Sequence, residues 1–561
     1  MWQNKAKYSK IVLYFKGSEK MNYKELAELL YPEVTTTIED LEKMYPERNL
    51  PEGAEVCRFA PSPTGRMHMG NMYAAFIPEV FAHQSNGVFI LRIEDTDEKR
   101  SIENGIEHIV NDLGEFNYII DESPVTGGNY GPYKQRDRLN IYHTVAKYLV
   151  SIGRAYPCFC TEEELTEMRT HQEEIKDRIG YYGHYAKCRN LSMEEIKKHI
   201  ENKDKWVLRL KSMGDFNKKV EFNDLIKGKL ELPENDIDQV LIKSDGVPPY
   251  AFAHVCDDHY MRVTTVTRDD SYISSLTYHL EIWDACGFKA PKFAHLLPLN
   301  KKDGDKVRKI SKRKDPEAAV AFYHERGIPV EAIKLYFATL VNSNFEEWFM
   351  ANPDKTYKDF KFTFDKMSTS GSLYDLEKLI NISKNYISRL KAEEVFNLVD
   401  AWSRTYDKEF NELINKYKDY TINVLNIERE VERPRKDIES FSAVKREIGY
   451  MYDELFFNEE KAFERKDFYS KELLEYYIDN VYDEADDKQT WFNKIKEMCP
   501  KFGFASETKE YKKNPENYKG SVAHACEVIR VSVTNRTMTP DLYEILKLLG
   551  KDRIKERISK F

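Results

Sequence analysis

A strand–loop–helix–strand pattern that occurs twice constrains the fold of this 561-residue chain more than any other feature. The first copy predicts strands over residues 55–60 and 88–93 on either side of a helix over residues 71–85. The elements predicted for the second copy are strands over residues 239–243, 261–267 and 293–299 and a helix over residues 271–286. Two such halves predict an α/β nucleotide-binding fold that is split by an insertion.

The segments outside these two copies have a different character. Residues 1–55 form a polar lead-in with predicted helices over residues 23–30 and 37–45, and its function stays open. From about residue 369 onward, helical periodicity with dense Glu and Lys pairs, as in residues 373–390 and 540–559, predicts a helical C-terminal third. A chain of this length is too long for one hydrophobic core, so we expect several domains.

The composition excludes several classes of protein. Hydrophobic residues make up 41% and charged residues 32%, which is typical of folded proteins. No apolar run reaches the ~18 residues that a membrane span needs, and the first residues lack the apolar stretch of a signal peptide, so we expect a cytoplasmic protein without a membrane partner. The eight cysteines are too few for a disulfide scaffold. Because the net charge is −9, any contact with nucleic acid must come from local basic patches.

The first chemical motif is RFAPSPTGRMHMGN at residues 58–71, where a loop leads from a strand to a helix N-terminus. Such an N-terminus attracts phosphate through unpaired backbone N–H groups and the helix dipole. Gly70 would allow a purine to approach the backbone, and His68 could donate a hydrogen bond to charge that develops on phosphate. The alternative interpretation of a loop of this kind alone is a structured turn.

The second motif is KVRKISKRK at residues 306–314, which carries most of the eight Lys and Arg residues between Lys301 and Lys314. A basic run of this kind is also typical of a solvated surface or a nuclear-targeting signal. Two lysines on either side of Ser311 would instead neutralise pyrophosphate charge while the α-phosphorus is attacked. Alone, this motif is weak evidence for nucleotide binding, but together with the first motif it is strong evidence.

These two strings resemble the HIGH and KMSKS signatures of class I aminoacyl-tRNA synthetases, and RIEDTD at residues 92–97 is similar to a string of the bacterial glutamyl members. The resemblance continues through GPYKQ at 131–135, SDG at 244–246 and DDH at 257–259. It covers about residues 55–390 and resumes at residues 542–554. It implies a Rossmann-like catalytic domain split by an insertion and followed by an all-helical anticodon-binding region.

The resemblance implies a division of the chain and a set of ATP-binding residues. The implied segments are an extension (1–54), catalytic half 1 (55–120), an insertion for the tRNA acceptor end (121–236), catalytic half 2 (237–300), a KMSKS-like loop and stem-contact region (301–369) and a helical anticodon-binding domain (370–561). The implied ATP-binding residues are His68, Gly70, Asn71, Lys309, Ile310, Ser311 and Lys312. Of these, His68, Lys309 and Lys312 would stabilise phosphate charge in catalysis, and Mg²⁺ would accompany ATP.

The resemblance also implies a glutamate pocket. Its residues would be Arg58, Ala60, Ser62, Glu94, Tyr250, His254 and Arg268. By resemblance, Arg58 and Arg268 would hold the carboxylates and Glu94 the ammonium, while Ser62 and Tyr250 would form hydrogen bonds with the same ligand. An arginine at Arg268 favours glutamate over neutral glutamine.

Three positions depart from the family pattern. His254 stands where the bacterial glutamyl enzymes usually carry asparagine, and it is similar to the histidine of glutaminyl enzymes. Tyr272 replaces a common tryptophan, and Ser271 replaces an acidic residue that often assists nucleotide binding. These departures leave the amino-acid choice and two nucleotide contacts open.

Between the two halves, three cysteines and one histidine are spaced as a candidate zinc site. Cys158, Cys160, His184 and Cys188 would supply three thiolates and an imidazole for a structural Zn²⁺. The alternative is a set of buried free cysteines, since the Cys-x-Cys spacing is tighter than usual and family members occur with and without zinc.

The reaction that the resemblance implies is the activation of L-glutamate with ATP and its transfer to the 3′ end of tRNA(Glu), by a monomer. Whether tRNA(Gln) is also charged stays open. The alternatives are a glutamine–tRNA ligase, favoured by His254 and opposed by Arg268, and a catalytically silent RNA-binding protein on the same fold. A tRNA-modifying relative fits poorly, because the chain continues for about 190 residues past Gly371.

Overall fold

The computed structural model describes residues 21–97, 102–311, 313–369, 371–459 and 466–561. The chain divides into two compact units, called unit 1 (Met1–Asn300 and Leu340–Ser372) and unit 2 (Lys301–Thr339 and Leu373–Phe561). Within the described ranges, every helix is too short or too polar to cross a lipid bilayer.

The helices and strands fall into three stretches of the chain. Those up to residue 300 are α1 (Tyr23–Leu30), α2 (Ile38–Met44), β1 (Val56–Phe59), α3 (Met69–Gln84), β2 (Val88–Leu91), α4 (Gly105–Glu115), α5 (Leu139–Ser151), β3 (Ala155–Cys158), α6 (Glu162–Glu174), α7 (Met193–Glu201), β4 (Val207–Leu210), β5 (Lys219–Asp224), β6 (Gly228–Pro233), β7 (Val240–Ile242), α8 (Tyr250–Tyr260), β8 (Thr265–Asp269), α9 (Leu276–Cys286) and β9 (Lys292–Leu296). Those between residues 299 and 373 are β10 (Leu299–Asp303), β11 (Lys306–Lys309), α10 (Val320–Arg326), α11 (Val330–Val341), α12 (Phe345–Ala351) and β12 (Ser372–Leu373). Those of the C-terminal part are α13 (Leu376–Arg389), α14 (Ala392–Tyr406), α15 (Lys408–Lys416), α16 (Lys418–Asn426), α17 (Phe441–Ile448), α18 (Asp453–Phe456), α19 (Lys471–Asn480), α20 (Lys488–Met498), β13 (Phe504–Ala505), α21 (Thr508–Lys513), β14 (Gly520–Ser521), α22 (Val522–Thr534), α23 (Leu542–Leu549) and α24 (Lys551–Ser559).

The centre of unit 1 is a parallel sheet with strand order β2-β1-β8-β9. Its strands are buried along most of their length, and Cys57, Ile90, Val266 and Phe293 are completely buried. β2 is apolar throughout, as is typical of a strand covered on both faces, whereas β8 and β9 also carry polar side chains such as Arg268 and His295. The two halves predicted from the sequence therefore meet in one sheet, through the contact of β1 with β8.

The predicted strand over residues 239–243 forms, but its assignment to the parallel sheet is wrong. It is β7, which pairs antiparallel with β4 in a separate sheet of order β3-β4-β7. Three apolar residues can pair with any sheet that offers an edge, so the sequence pattern could not choose the partner.

Three other boundaries of the second half differ from the predictions for local reasons. The strand predicted from residue 261 begins at Thr265, because Met261 caps α8 and Arg262 adopts a left-handed φ of 57°. The predicted helix over residues 271–286 starts as a 3₁₀ turn, Asp270–Ser275, before α9. The strand predicted over residues 293–299 ends at Leu296, so β9 and β10 are separate strands.

The described part of the lead-in packs into the same core as the sheet. Leu26 and Leu41 are each 1% exposed, and α1 and α2 start at the side-chain caps Asn22 and Thr37. After α2, Arg48 donates two hydrogen bonds, of 2.7 and 2.8 Å, to the Glu122 carboxylate. Residues 21–54 are thus continuous with unit 1.

In its described residues, the C-terminal part of unit 2 is helical apart from the two-residue strands β13 and β14. Its helices are amphipathic and enclose a buried cluster that runs from Ile387 to Ile558. The predicted helix over residues 540–559 is divided into α23 and α24 by Gly550, whose φ is 76°. This glycine ends α23 because a left-handed φ is costly for other residues.

Candidate active site

The loop between β1 and α3 places His68 at the N-cap of α3. The His68 Nδ1 atom accepts a hydrogen bond of 3.1 Å from the Asn71 backbone N–H, and the Asn71 side chain accepts one of 3.1 Å from the His68 N–H. An imidazole nitrogen that accepts has no proton, so a neutral His68 carries its proton on Nε2. The cap therefore produces a histidine that can donate from Nε2.

Gly70 is required by the same histidine. A Cβ added at Gly70 would lie 3.0 Å from Cε1 and 3.1 Å from Nδ1 of His68. The glycine therefore makes room for the capping imidazole, and its role toward a purine stays a prediction. The loop is fixed further by Asp112, a buried carboxylate that accepts a hydrogen bond of 3.0 Å from the Met67 N–H.

The segments that follow β1 and β2 lie side by side at the carboxyl edge of the sheet. The Arg92 N–H donates to the Phe59 carbonyl and the Glu94 N–H donates to the Pro61 carbonyl, both at 3.0 Å. Ala60 is partly buried here and Ser62 is exposed. In parallel sheets this edge is where ligands bind.

Two buried arginines share one aspartate below this edge. Asp258 is fully buried and accepts a hydrogen bond of 2.6 Å from Arg92 Nη1 and one of 3.1 Å from Arg58 Nε. Although burial alone would raise it, the pKa of Asp258 lies well below its usual value, because Arg58 and Arg92 stabilise the carboxylate. Arg58 also donates to the Thr267 carbonyl at 3.0 Å, so both guanidinium groups are held in place.

Glu94 is a second carboxylate in this region, and it is weakly compensated. Among the described residues, its cationic contact is Arg92 Nη2, at 3.4 Å. Burial raises the pKa of Glu94 to about 7, although Arg92 and Arg58 act in the opposite direction. A cation placed beside Glu94 would stabilise its ionised form.

Helix α8 presents Tyr250, His254 and Asp258 at intervals of four residues, on one face. The Tyr250 and His254 rings stack with centroids 4.9 Å apart. The two ring nitrogens of His254 lie 3.2 Å from Asp258 and 3.2 Å from His279 Nδ1. His254 is completely buried, and burial lowers its pKa to about 4.

Arg268, near the end of β8, differs from Arg58 and Arg92. It is 7% exposed, and its guanidinium lies 4.8 Å from the ring centre of Phe293 and 5.3 Å from that of Tyr272. Among the described residues, no carboxylate lies within 4.0 Å of it, and its Nη2 atom is buried without a hydrogen-bond partner. A buried N–H without a partner is costly, which is typical of an atom that meets a ligand.

In unit 2, the KMSKS-like motif lies on β11 and in the turn that follows it. Asp315 organises this turn, since it accepts hydrogen bonds of 2.6 and 2.8 Å from Arg308 and one of 2.9 Å from the Ser311 N–H. Hydrogen bonds from Arg308 lower the pKa of Asp315. Lys309 is exposed and Ile310 is 7% exposed, while Lys312 lies outside the described residues.

Of the four predicted zinc ligands, the structure brings three together. The sulfurs of Cys158, Cys160 and Cys188 lie within 4.8 Å of one another. His184 is exposed and is not part of the cluster, so its assignment as a ligand is wrong. The Tyr181 hydroxyl lies 3.5 Å from the Cys158 sulfur and 3.3 Å from that of Cys160. His184 belongs to the 3₁₀ turn Gly183–Tyr185, which directs its ring against Tyr185.

Comparison with known proteins places this geometry in a family. A family model described as the catalytic domain of class I tRNA synthetases (E and Q) matches residues 55–380, and a model of an anticodon binding domain matches residues 409–561. A glutamate–tRNA ligase of Acetivibrio thermocellus is 45% identical over 96% of this chain and all of the relative. The chain belongs to the glutamate–tRNA ligase family of class I tRNA synthetases.

Other relatives agree with this family. A glutamate–tRNA ligase of Clostridium perfringens is 44% identical, again over 96% of this chain and its own full length. The crystal structure of a glutamate tRNA ligase from Elizabethkingia meningosepticum, in complex with its amino acid, is similar with a TM-score of 0.72 and 26% identity, over 90% of this chain and 98% of that one. The predicted class I fold, with its parallel sheet and helical anticodon-binding region, is confirmed.

Three residues of the site escaped the sequence analysis, namely Asp224, His279 and His295. The Arg268 Nε atom donates to His295 Nε2 at 3.0 Å, and Nη1 donates to His279 Nδ1 at 2.8 Å. The Asp224 carboxylate lies 2.6 Å from His295 Nδ1. None of the three stands in a recognisable string, and only the folded chain brings them together.

Proposed function

We propose that the pocket bordered by Arg268 and Glu94 binds L-glutamate, and that this pocket serves the ligase reaction of the family. As a member of the glutamate–tRNA ligases, the chain is an ATP-dependent enzyme that joins glutamate to tRNA. Glutamate carries two carboxylates and one ammonium, so a pocket for it needs a cation without a counter-ion and a carboxylate whose charge is only partly compensated.

The observation that carries the proposal is the unequal compensation of the three buried arginines. Arg58 and Arg92 are paired with Asp258, whereas Arg268 is paired with no carboxylate of the described residues. A substrate carboxylate at Nη2 of Arg268 would supply the missing partner and a charge-assisted hydrogen bond. Glutamine carries a neutral amide and would leave the buried charge uncompensated.

His254 was the residue that favoured glutamine, and its contacts weaken that alternative. Both of its ring nitrogens lie beside other side chains, Asp258 and His279. We therefore propose that His254 supports the pocket through its ring stack with Tyr250 rather than by a hydrogen bond to the amino acid. We also propose that the glutamate is contacted by Arg58, Ala60 and Ser62, as the sequence predicts.

The reaction has two steps. The glutamate α-carboxylate attacks the α-phosphorus of ATP, which releases pyrophosphate and forms a mixed anhydride. A ribose hydroxyl at the 3′ end of the tRNA then attacks the anhydride and releases AMP. No nucleophile of the chain takes part, so catalysis depends on positioning and on stabilising charge on phosphate. The Nε2 proton of His68 is suited to that role.

The remaining ATP contacts are proposed from the motifs. Gly70 and Asn71 would lie near the phosphates at the N-terminus of α3, where backbone N–H groups and the helix dipole favour anions. Lys309, Ile310, Ser311 and Lys312 keep their predicted roles toward ATP. Mg²⁺ accompanies ATP in this class of reaction and neutralises part of the phosphate charge.

We also propose a structural Zn²⁺ on Cys158, Cys160 and Cys188. Sulfurs bound at about 2.3 Å in a tetrahedron lie roughly 3.8 Å apart, and those of Cys160 and Cys188 lie 3.6 Å apart. The Tyr181 oxygen lies 3.5 and 3.3 Å from the sulfurs of Cys158 and Cys160 and would border the ion. The ion would hold the end of β3 and the turn that contains Cys188 together within the insertion.

The partners follow from the two parts of the chain. tRNA(Glu) would contact the insertion with its acceptor end and the helical C-terminal region with its anticodon. A monomer suffices for this arrangement. Glutamyl-tRNA(Gln) would be a second product. Whether tRNA(Gln) is charged would depend on the anticodon contacts and not on the amino-acid pocket.

An aminoacylation assay tests the proposal. The purified protein is given ATP, Mg²⁺ and total tRNA with labelled glutamate or labelled glutamine. We expect glutamate to be incorporated, and Arg268→Gln to raise the KM for glutamate by about a hundredfold or more, as for the loss of a buried charge-assisted contact.

The matched control for this assay is Arg154→Gln. Arg154 is also a partly buried arginine of unit 1, but it pairs with Glu281 and lies outside the pocket. Its replacement should lower stability without changing the KM for glutamate. Incorporation of glutamine, or an unchanged KM in Arg268→Gln, would contradict the proposed pocket.

A further inference from the structure

The guanidinium of Arg268 is held between two buried imidazoles. Its Nε atom donates to His295 Nε2 at 3.0 Å and its Nη1 atom donates to His279 Nδ1 at 2.8 Å. His295 is fully buried and His279 is 2% exposed. The orientation of the guanidinium plane is therefore fixed by two histidines on different elements, β9 and α9.

The protonation of His295 follows from these contacts. A guanidinium can only donate, so the imidazole nitrogens that face it must carry lone pairs. His295 must therefore be neutral, with its proton on Nδ1, and this proton is directed at the Asp224 carboxylate at 2.6 Å. Burial lowers the pKa of both His279 and His295, in agreement with neutral rings.

Asp224 is fixed in turn by its own chain segment. Its Oδ1 atom accepts hydrogen bonds of 2.9 and 2.8 Å from the backbone N–H groups of Ile226 and Lys227, at the turn between β5 and β6. Hydrogen bonds from His295 and from these N–H groups lower the pKa of Asp224, although burial alone would raise it. The carboxylate is thus ionised and rigidly placed.

We propose that Asp224, His295 and His279 are positioning residues that determine the preference of this pocket for an acidic side chain. They hold the Arg268 guanidinium so that its Nη2 atom is left for a substrate carboxylate. The inference rests on the proposed role of Arg268 in binding glutamate. It adds that the β5–β6 hairpin of the insertion contributes a residue, Asp224, to amino-acid selection.

The preference for glutamate over glutamine follows from the chemistry of His279 and His295, the two side chains that contact Arg268. A carboxylate in contact with Arg268 would orient it equally well, but it would also neutralise its charge and compete with the substrate. Neutral imidazoles accept the same hydrogen bonds and leave the charge uncompensated. Arg58 and Arg92 show the opposite arrangement, since each contacts Asp258 directly. Asp224 contacts His295 and not Arg268, so the His295 ring separates this carboxylate from the guanidinium.

Paired substitutions in the full-length enzyme test this role. His295→Leu and His279→Leu remove the acceptors, whereas His295→Gln and His279→Asn place an amide oxygen close to the original acceptor nitrogen. We expect the leucine variants to raise the KM for glutamate by about tenfold to a hundredfold, the cost of a lost hydrogen bond to a charged group. The amide variants should recover most of that loss, while the KM for ATP stays unchanged.

The leucine variants should also lose discrimination. A guanidinium that is no longer fixed binds the glutamate carboxylate less well, while its affinity for the glutamine amide does not change. The ratio of glutamate to glutamine incorporation should therefore fall by the same factor. His259→Leu is the matched control, because His259 is a half-buried histidine of the same unit that pairs with Glu42 and stacks on Phe288. It should affect stability alone.

The outcomes separate this inference from the proposed function. If Arg268→Gln raises the KM for glutamate and the leucine variants do not, the positioning role is overturned while the proposed function stands. If Arg268→Gln itself has no effect, both fail. Should a leucine variant not fold, nitrogen NMR of labelled histidine in the wild-type enzyme decides: a neutral His295 protonated on Nδ1 supports the inference, and a charged ring or a proton on Nε2 overturns it.

Discussion

Replacing Asp258 by asparagine should destabilise unit 1 strongly, because this side chain compensates two buried cations. Asp258 is completely buried, and its partners Arg58 and Arg92 are 3% and 0% exposed. Its two charge-assisted contacts, of 2.6 and 3.1 Å, both end on Oδ1. An asparagine would keep that oxygen and turn its NH₂ group toward His254, but it would lose the negative charge that compensates the two arginines. Breaking a buried pair by removing one partner costs about 3–5 kcal/mol.

The assay is urea unfolding combined with hydrogen exchange of α8, so that the free energy of unfolding is read for the unit that contains Asp258. The control is Asp236→Asn, which breaks the more exposed ion pair with Arg178. That change should cost no more than about 1 kcal/mol. If Asp258→Asn costs as little as the control, the two arginines do not depend on Asp258 and the reasoning from charge compensation fails.

The same variant has a predicted pH dependence. The pKa of Asp258 in the folded protein lies well below its usual value, so its contribution to stability is fully present above the unfolded pKa of about 4. The contribution is lost as the pH falls from there through the folded pKa. The difference between wild type and Asp258→Asn should therefore be constant from about pH 5 to pH 8 and should narrow below about pH 4.

Three further predictions concern the site and the insertion. Since burial raises the pKa of Glu94 to about 7 and a bound ammonium favours its ionised form, the KM for glutamate should rise as the pH falls below about 7, and Glu94→Gln should remove this dependence in steady-state kinetics. His68→Asn keeps an N-cap acceptor but lacks the Nε2 proton, so turnover should fall by about a hundredfold or more in aminoacylation while thermal unfolding is unchanged. Elemental analysis of the purified protein should find about one zinc per chain, and Cys188→Ser should remove it; a full complement of zinc in that variant would refute the site.

The parts of the fold that the sequence predicted well are those specified locally. The sequence predicts helices over residues 23–30 and 37–45, and the structure shows α1 over Tyr23–Leu30 and α2 over Ile38–Met44 with Thr37 and Tyr45 as its caps. The apolar strands β1 and β2 and the intervening helix α3 were likewise predicted within one or two residues. Each of these signals lies within a short window of the chain.

What could not be predicted depends on contacts between distant segments. Asp224 and His295 are 71 residues apart, and neither stands in a motif, so only the packing of the end of β5 against β9 reveals their link to Arg268. The partner of β7 and the exclusion of His184 from the cysteine cluster are failures of the same kind. Spacing proposes candidates, but register and turn geometry decide which of them meet.

If Arg268 and Glu94 define the two ends of a glutamate site, a crystal structure of the protein with bound L-glutamate tests this most directly. We predict the side-chain carboxylate of glutamate at about 3 Å from Nη2 of Arg268 and its ammonium beside Glu94. A structure in which the ligand carboxylate avoids Arg268, or in which the pocket takes glutamine in preference to glutamate, would contradict the proposed site.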